Sequence, residues 1–476
     1  MTINADSFRI EKDPMGEVLI PKEKLWGPQT QRAINNFKIS NYKFHPEIIK
    51  ALLIIKKAAA IVNNELNLLN SDKANAIVNA VDEILNNFEK YQDNFILDIF
   101  QTGSGTSTNM NVNEVISNLA SVLLNKELGS KFIHPNDDVN KGQSSNDVIP
   151  TSIRIAVYKM LINLINDINY LVNSIKQKEK EFKDVVKIGR THLMDATPIT
   201  FSQEFSGYRR QLELAVDRIK GIFNRLAELP IGGTAVGTGI NTHVDFAYKV
   251  VNKINEFMAK YIPFEIYPKF RETSNHFEAQ ASIDTFIEVM DILKILALSL
   301  IKITNDIRFM GSGPVGGFGE LILPELQPGS SIMPGKVNPV IPEATGMACS
   351  YIVGLSYSLT FANQYSNFEL STTFPLISFS LTESISILSN LLRLIKEKLI
   401  DGLKINLEKV NNIVNYNPSI VTPLAKIVGY DKAYEIVKEA LKNKLSIKEY
   451  VVLNNILTQD EAEKILNPLN LTKPGY

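Results

Sequence analysis

Gly329-Ser330-Ser331-Ile332-Met333-Pro334-Gly335-Lys336-Val337-Asn338-Pro339 holds two hydroxyls, two glycines, one lysine and an amide within eleven residues. A hydrophobic core has no use for such a run. Its glycines reach backbone conformations closed to other residues, and its prolines fix φ where they stand. Ser, Gly and Pro together most often make a surface turn. The spacing of Lys336 and Asn338 adds a second reading. The segment can take two shapes, and it can lay backbone N–H groups, the ammonium and the amide around an anion. Ser330 and Ser331 then sit beside that anion as proton carriers. The run reads as a carboxylate-binding loop set between long helices.

Bulk properties narrow the classes. A chain of 476 residues is long enough for a large core and more than one domain. Lys plus Arg number 50 against 51 Asp plus Glu, a net charge of −1. That balance argues against nucleic acid or any other polyanion as partner, so attraction for an anionic substrate must come from a few focused donors. Cys349 is the single cysteine, which excludes an intrachain disulfide and a cysteine metal cluster and points to a reducing, cytoplasmic setting. The opening MTINADSFRIEKD has no apolar signal-like stretch. Ile292–Ile303 is interrupted by Lys294, Ser299 and Lys302, short of the roughly 20 apolar residues that cross a bilayer. A soluble protein without a membrane partner is expected.

Three segments follow along the chain. Residues 1–145 read as a mixed α/β domain, with a short element at Gly16–Pro21 and helical periodicity over Ile48–Leu66 and Lys73–Asn87. Gly103–Asn113 reads as a Gly/Ser/Thr/Asn loop leading into a helix near Glu114. Residues 146–400 form a domain of long helices. Ser144, Ser145, Asn146 and Asp147 offer N-caps, and Ile153, Ala156, Met160 and Leu164 recur at helical spacing. Phe201–Leu229 and Asn367–Leu399 are further helices. His276–Met310 reads as one helix about 50 Å long, apolar almost all round. A single core would struggle to cover such helices, so a homo-oligomeric bundle is expected. Residues 401–476 form a small helical domain broken at Pro418, Pro423 and Gly429.

Chemistry can be assigned residue by residue. Of the five histidines, His45 looks like a turn residue, and His243 and His276 stand near helix starts without obvious partners. His192 lies in Gly189-Arg190-Thr191-His192, a polar loop between two helices, where Arg, Thr and Asp neighbours favour a titrating role. Ser104, Gly105 and Thr106 form one candidate carboxylate cradle. Ser144, Ser145 and Asn146 form another at a helix N-terminus, where capping alone would also account for them. Glu343 after Pro342 suits either the helix dipole or a partnership with a histidine. His134-Pro135-Asn136-Asp137, with Lys131 before it, reads as a capped turn or a second anion site. No cluster has metal-ligand spacing, so neither metal nor other cofactor is expected.

These blocks resemble the class II, metal-independent fumarases of the fumarase/aspartase superfamily. The likeness extends from FRIEKDPMGEVLIPKEKLWGPQTQRAINNFKIS (8–40) through QTGSGTSTNMNVNE (101–114), HPNDDVNKGQSSNDVIPTS (134–152), GRTHLMDATPIT (189–200) and GGTAVGTGIN (232–241). It continues past the 329–339 loop to GYDKA (429–433) and LTKPG (471–475). The resemblance implies a mainly α fold with a long central helical bundle flanked by an N-terminal mixed and a C-terminal helical domain. It implies a homotetramer in which three subunits contribute to each site. The implied reaction is reversible hydration of fumarate to (S)-malate through an aci-carboxylate carbanion. Ser330 would be the base for the carbon proton, and His192, paired with Glu343, would handle the water side. Lys336 would stabilise the developing charge. Substrate would be held by Ser104, Gly105, Thr106, Ser144, Ser145, Asn146, Thr191, Ser331, Lys336, Val337 and Asn338. The family's second, non-catalytic dicarboxylate site would fall on Lys131, His134, Pro135, Asn136 and Asp137.

The chain departs from the family pattern at Val315, where arginine is usual, and at Ser371 and Phe374, where Asn and Lys are usual. Two other readings stay open. Val340-Ile341-Pro342-Glu343 leans towards an aspartase, which eliminates ammonia by the same carbanion chemistry. A catalytically silent structural relative is the other.

Overall fold

The computed structural model describes residues Ser7–Gly475. Helices dominate, and among the described residues strands occur only as two-stranded pairs. Contacts group the chain into two compact units, each assembled from three stretches. One holds the chain through Ile165 with Asp217–Lys294 and Tyr351–Ile387. The other holds Asn166–Val216, Ile295–Ser350 and the chain from Leu388. The sequence segments 1–145, 146–400 and 401–476 are thus distributed differently from the contact-defined units.

In the first unit an N-terminal hairpin pairs Phe8–Asp13 with Gly16–Pro21. Helix Pro46–Glu65 begins at His45, whose Nδ1 accepts the Glu47 N–H, so His45 is an N-cap. Ile48, Leu52, Ile55, Ala59 and Val62 are buried at helical spacing, and Lys56 is buried among them. Helix Ser71–Asn86 is capped by Asn70, as its side chain accepts from Asp72 N.

The expected loop over Gly103–Asn113 is loop only as far as Gly105, because helix Thr106–Leu123 starts seven residues before Asn113. Its polar residues gain tertiary partners that outweigh weak helix propensity. The Asn111 amide donates to Asn94 O, and the Thr108 hydroxyl donates to Gln101 Oε1. His276–Met310 is also not one helix. It breaks into His276–Ala281 and Asp284–Met310 at Ser282, whose backbone is extended and whose hydroxyl accepts Asp284 N. Phe201–Leu226 ends before Glu228–Leu229, which pairs in parallel with Arg271–Glu272. Residues 366–371 form a hairpin turned at Phe368 (φ 55°), and helix Phe374–Ile395 follows with Pro375 in its first turn.

In the second unit, residues 186–200 are two antiparallel strands, treated below. The C-terminal part is a set of short helices: Leu407–Tyr416, Tyr430–Lys442, Ile447–Leu453 and Gln459–Ile465. Ser446 and Thr458 open the last two with reciprocal capping boxes to Glu449 and Glu461. Two stretches, Ser145–Glu181 and Phe374–Ile400, are long and apolar enough to cross a membrane by length and composition. Within them, 89% and 61% of the apolar window is buried inside the chain, as expected of core helices.

Gly103 sits where two backbones nearly touch, and a Cβ there would lie 1.9 Å from Thr372 O. Its carbonyl also accepts Phe374 N at 3.1 Å, tying the Ser104–Thr106 segment to the start of helix Phe374–Ile395. Gly103→Ala is therefore expected to destabilise the chain by roughly 1–3 kcal/mol. An unchanged thermal unfolding midpoint would contradict this close approach.

Candidate active site

The two cradles read from sequence are one surface. Ser104 Oγ and Thr106 Oγ1 are 2.7 Å apart, and Thr106 Oγ1 lies 2.7 Å from Ser145 Oγ. This chain of hydroxyls runs between the N-termini of helices Thr106–Leu123 and Ser145–Glu181, both of which favour negative charge. Gly105 supplies the left-handed turn into the first helix, with φ 75°. Ser144 caps the second, as its hydroxyl accepts Asn146 N at 3.2 Å. The cap and the chain of hydroxyls thus lie side by side.

Beneath this surface lies a buried carboxylate. Asp147 Oδ1 accepts Ser144 N at 2.9 Å, and Oδ2 accepts Gly232 N and Thr234 N at 3.0 and 2.9 Å. The Asn146 amide adds a bond to Ala235 O at 2.8 Å. Burial pushes Asp147 up to about 6 despite these donors, and it pushes the fully buried Lys56 down to about 7 despite attraction to Asp147. The Lys56 ammonium donates to Asn140 Oδ1 at 2.8 Å, a carbonyl that also receives the Asn109 amide.

His192 does not lie in a loop between helices. Val186–Thr191 and Met194–Thr200 form an antiparallel hairpin closed by the Thr191–Met194 pair. His192 and Leu193 are its two turn residues, with φ of 57° and 62°, the sign pattern of a type I′ turn. Thr191 and His192 are exposed, and Leu193 and Met194 are 66% and 70% exposed. His192 makes no hydrogen bond or ion pair among the described residues.

The Gly329–Pro339 loop closes on itself. Gly329 N donates to Lys336 O at 2.9 Å, and the Asn338 amide donates to Gly329 O at 2.7 Å. A Cβ at Gly329 would stand 2.3 Å from Lys336 O, so glycine is required for this approach. Inside the closure Ser330 Oγ accepts two backbone N–H groups, Ile332 N at 3.2 Å and Met333 N at 3.1 Å. Ser331, Lys336 and Val337 are exposed. Helix Val340–Ala362 follows, with Glu343 N bonded to Pro339 O. The Glu343 side chain is exposed on a cleft of about 810 Å³ shared with Asn305, Arg308 and Met347. Within one chain no hydrogen bond or ion pair joins Glu343 to His192, nor His192 to Ser330 or Lys336.

At the second anion segment, capping is what the geometry displays. His134 Nδ1 accepts Asp137 N at 3.0 Å, opening the turn Pro135–Val139. Lys131, in left-handed conformation, donates to Lys12 O. Lys131, His134, Pro135 and Asn136 line a cleft of about 140 Å³ with Glu11, Asp13 and Glu114. Of the departures, Val315 is 89% exposed, whereas Ser371 and Phe374 are fully buried. Phe374 meets Phe286 edge-on, with centroids 6.4 Å apart. Among the described residues no group of three or more His, Cys, Asp or Glu is arranged to hold a metal ion.

Sequence reasoning treated Asp147 only as a cap and passed over Lys56. The signals were present: an acid three residues after Ser144 has capping-box spacing, and Lys56 falls on the apolar face of its helix.

The chain is mainly α, with hydroxyls set between two helix starts and a serine held by loop N–H groups. Residues 16–354 match the lyase family, and residues 420–473 match the fumarase C C-terminus. The class II fumarate hydratase of Thermus thermophilus is 44% identical over 470 residues, 98% of this chain and 99% of that one. A crystal structure of class II fumarase from Schistosoma mansoni superposes with a TM-score of 0.92 at 35% identity, covering 98% of this chain and 100% of that one. A fumarate lyase:delta crystallin from Brucella melitensis, solved bound to cobalt, gives 0.93 at 36% identity over 98% and 100% of the two chains. The chain belongs to the class II fumarate hydratase family.

The Lys56 ammonium has a measurable signature. Unfolded, the lysine keeps its proton to about pH 10.5, whereas folded it releases it near 7. The unfolded state therefore binds more protons between those values, and stability rises with pH there by up to about 1.4 kcal/mol per unit. Relative to Lys56→Met, the native chain should gain stability from pH 7 to pH 9. Parallel melting curves for the two proteins would contradict the buried charge.

Proposed function

We propose that this chain catalyses reversible hydration of fumarate to (S)-malate without a metal ion, in the cytoplasm, at sites completed by other copies in a homotetramer. The observation that carries the mechanism is Ser330 Oγ resting on two backbone N–H groups within the loop that presents Lys336. A serine hydroxyl is a poor base, and two fixed donors stabilise its alkoxide as they would an oxyanion. Towards fumarate, the Ser330 alkoxide removes the proton from the carbon beside one carboxylate. The electron pair moves into that carboxylate as an aci-dianion, steadied by Lys336, Asn338 and loop N–H groups. The pair then returns to form the double bond as hydroxide leaves the neighbouring carbon on the opposite face. His192 protonates it to water. The hydroxyls of Ser104, Thr106 and Ser145, with Ser144, Asn146 and Thr191, hold the two carboxylates. Ser331 and Val337 line the strap, and Glu343 of another copy orients the imidazole.

Assembly is supported by what the single chain leaves open. His192 has no hydrogen-bond or ion-pair partner among the described residues, and its turn bears exposed Leu193 and Met194. Leu298 on helix Asp284–Met310, and Met347 and Phe361 on helix Val340–Ala362, are 50%, 70% and 65% exposed. Such apolar positions on long helices need cover. The Lys131/His134/Pro135/Asn136/Asp137 turn remains a proposed second anion site of lesser weight, since its cleft also holds carboxylates.

Purified protein given fumarate should form malate without ammonium. Aspartate formed only with ammonium would indicate an ammonia-lyase, and no turnover with either would indicate a silent relative. Ser330→Ala and His192→Asn should each lower turnover by roughly 10²-fold or more with unchanged circular dichroism. Wild-type rates in either would remove that residue from the mechanism. Prolonged chelation should leave activity intact, and loss restored by a divalent ion would refute metal independence.

A further inference from the structure

We infer that Glu320 is a positioning residue for His192, acting through Arg190. The inference rests on the proposed role of His192 and goes beyond it. Glu320 is 1% exposed and fixed on both sides by backbone bonds: its N–H donates to Met310 O at 2.8 Å, and its carbonyl accepts Asn406 N at 2.9 Å. Its carboxylate takes the Arg190 guanidinium in a fork, with NH2 and NH1 at 2.6 and 3.0 Å. The Lys187 ammonium approaches the same carboxylate at 3.3 Å while also donating to Glu204. Arg190 is further seated over the Phe318 ring, 4.3 Å from its centroid.

In a regular strand Lys187 and Arg190, three residues apart, would face opposite ways. The pairing shifts between Ile188 and Arg190, where Gly189 stands opposite two residues, Ala196 and Thr197, and across this bulge of the second strand both cations reach one carboxylate. The bulge also sets the register of everything beyond it. Thr191 and His192 are the next residues, and His192 itself has nothing to hold it within the chain. The imidazole is therefore aimed from the base of the hairpin. On the opposite strand the Asn417 amide donates to Asp195 at 2.8 Å and steadies the second leg. Glu320 supplies two-point geometry that a single charge would not, since a bidentate fork fixes the plane of the guanidinium.

The test is a double-mutant cycle on malate turnover. Glu320→Gln should lower kcat roughly tenfold, as small misplacement of a proton carrier does, with KM changed less than about twofold. The limb of the kcat pH profile assigned to His192 should shift as well. In a His192→Asn background the same substitution should cost nothing further. Independent, additive losses in the double variant, or an unchanged kcat and pH profile in Glu320→Gln, would overturn the inference. Arg190→Lys keeps the charge and removes the fork. It should behave as Glu320→Gln does, and it decides the matter if that variant fails to fold. If His192→Asn alone turns over normally, the reading of His192 fails first, a result distinguishable from additivity in an impaired background.

Discussion

Asp147 is the junction on which the proposed anion-binding surface depends. The start of a helix and a glycine-rich loop both leave backbone N–H groups without partners, and buried donors must be satisfied. One fully buried carboxylate meets donors from both, taking Ser144 N from the helix start and Gly232 N and Thr234 N from the loop. That pins the 232–241 segment to the turn carrying Ser144, Ser145 and Asn146. Each buried donor left unmatched would cost about 1–3 kcal/mol. The acid also lies in the first turn, where the helix dipole favours it.

Glu320 solves the same problem with side-chain cations. In both places a buried carboxylate, held by several donors, fixes a short polar segment that has no core of its own. The Gly329–Pro339 strap is held differently. Its closure rests on Gly329 N, the Asn338 amide and the two N–H groups on Ser330, all within the segment. Among the described residues its backbone bonds to the rest of the chain run to the start of the next helix, from Val340 N and Glu343 N, so it can move about that end while keeping its internal shape. That suits the covering role proposed for this segment, and such parts come from the low-stability end of a fold.

What the sequence disclosed follows from this contrast. Local patterns were readable: the apolar period over Ile48–Leu66, the cap at Ser144, and the breaks at Pro418 and Gly429. The strap was readable because Ser, Lys and Asn at that spacing have few structural uses. The hairpin under His192 was not, since a His-Leu turn lacks the Asn-Gly signal that marks a type I′ connection. The helix from Thr106 was hidden because its polar residues are stabilised by partners elsewhere. Gly232 donates to Asp147 across 85 residues, Lys56 reaches Asn140 across 84, and Arg190 reaches Glu320 across 130. No local period encodes such pairs, so residue types were legible where residue roles were not.

The electrostatic design follows from a chain of net charge −1 that must receive a diacid. The whole-molecule field offers no attraction, so the balance is decided within a few ångströms. Two buried carboxylates lie behind the segments proposed to bind substrate, and an unmatched negative charge there would repel it. Asp147 directs both oxygens at backbone N–H groups, and Glu320 is enclosed by Arg190 and Lys187. Their charge is thereby answered inside the protein. The Lys336 ammonium is exposed. In the proposed mechanism a diacid meets donors whose counter-charges are already engaged behind them, so the donors need not reorganise as negative charge builds during C–H cleavage. That preorganisation is what a weak carbon acid demands.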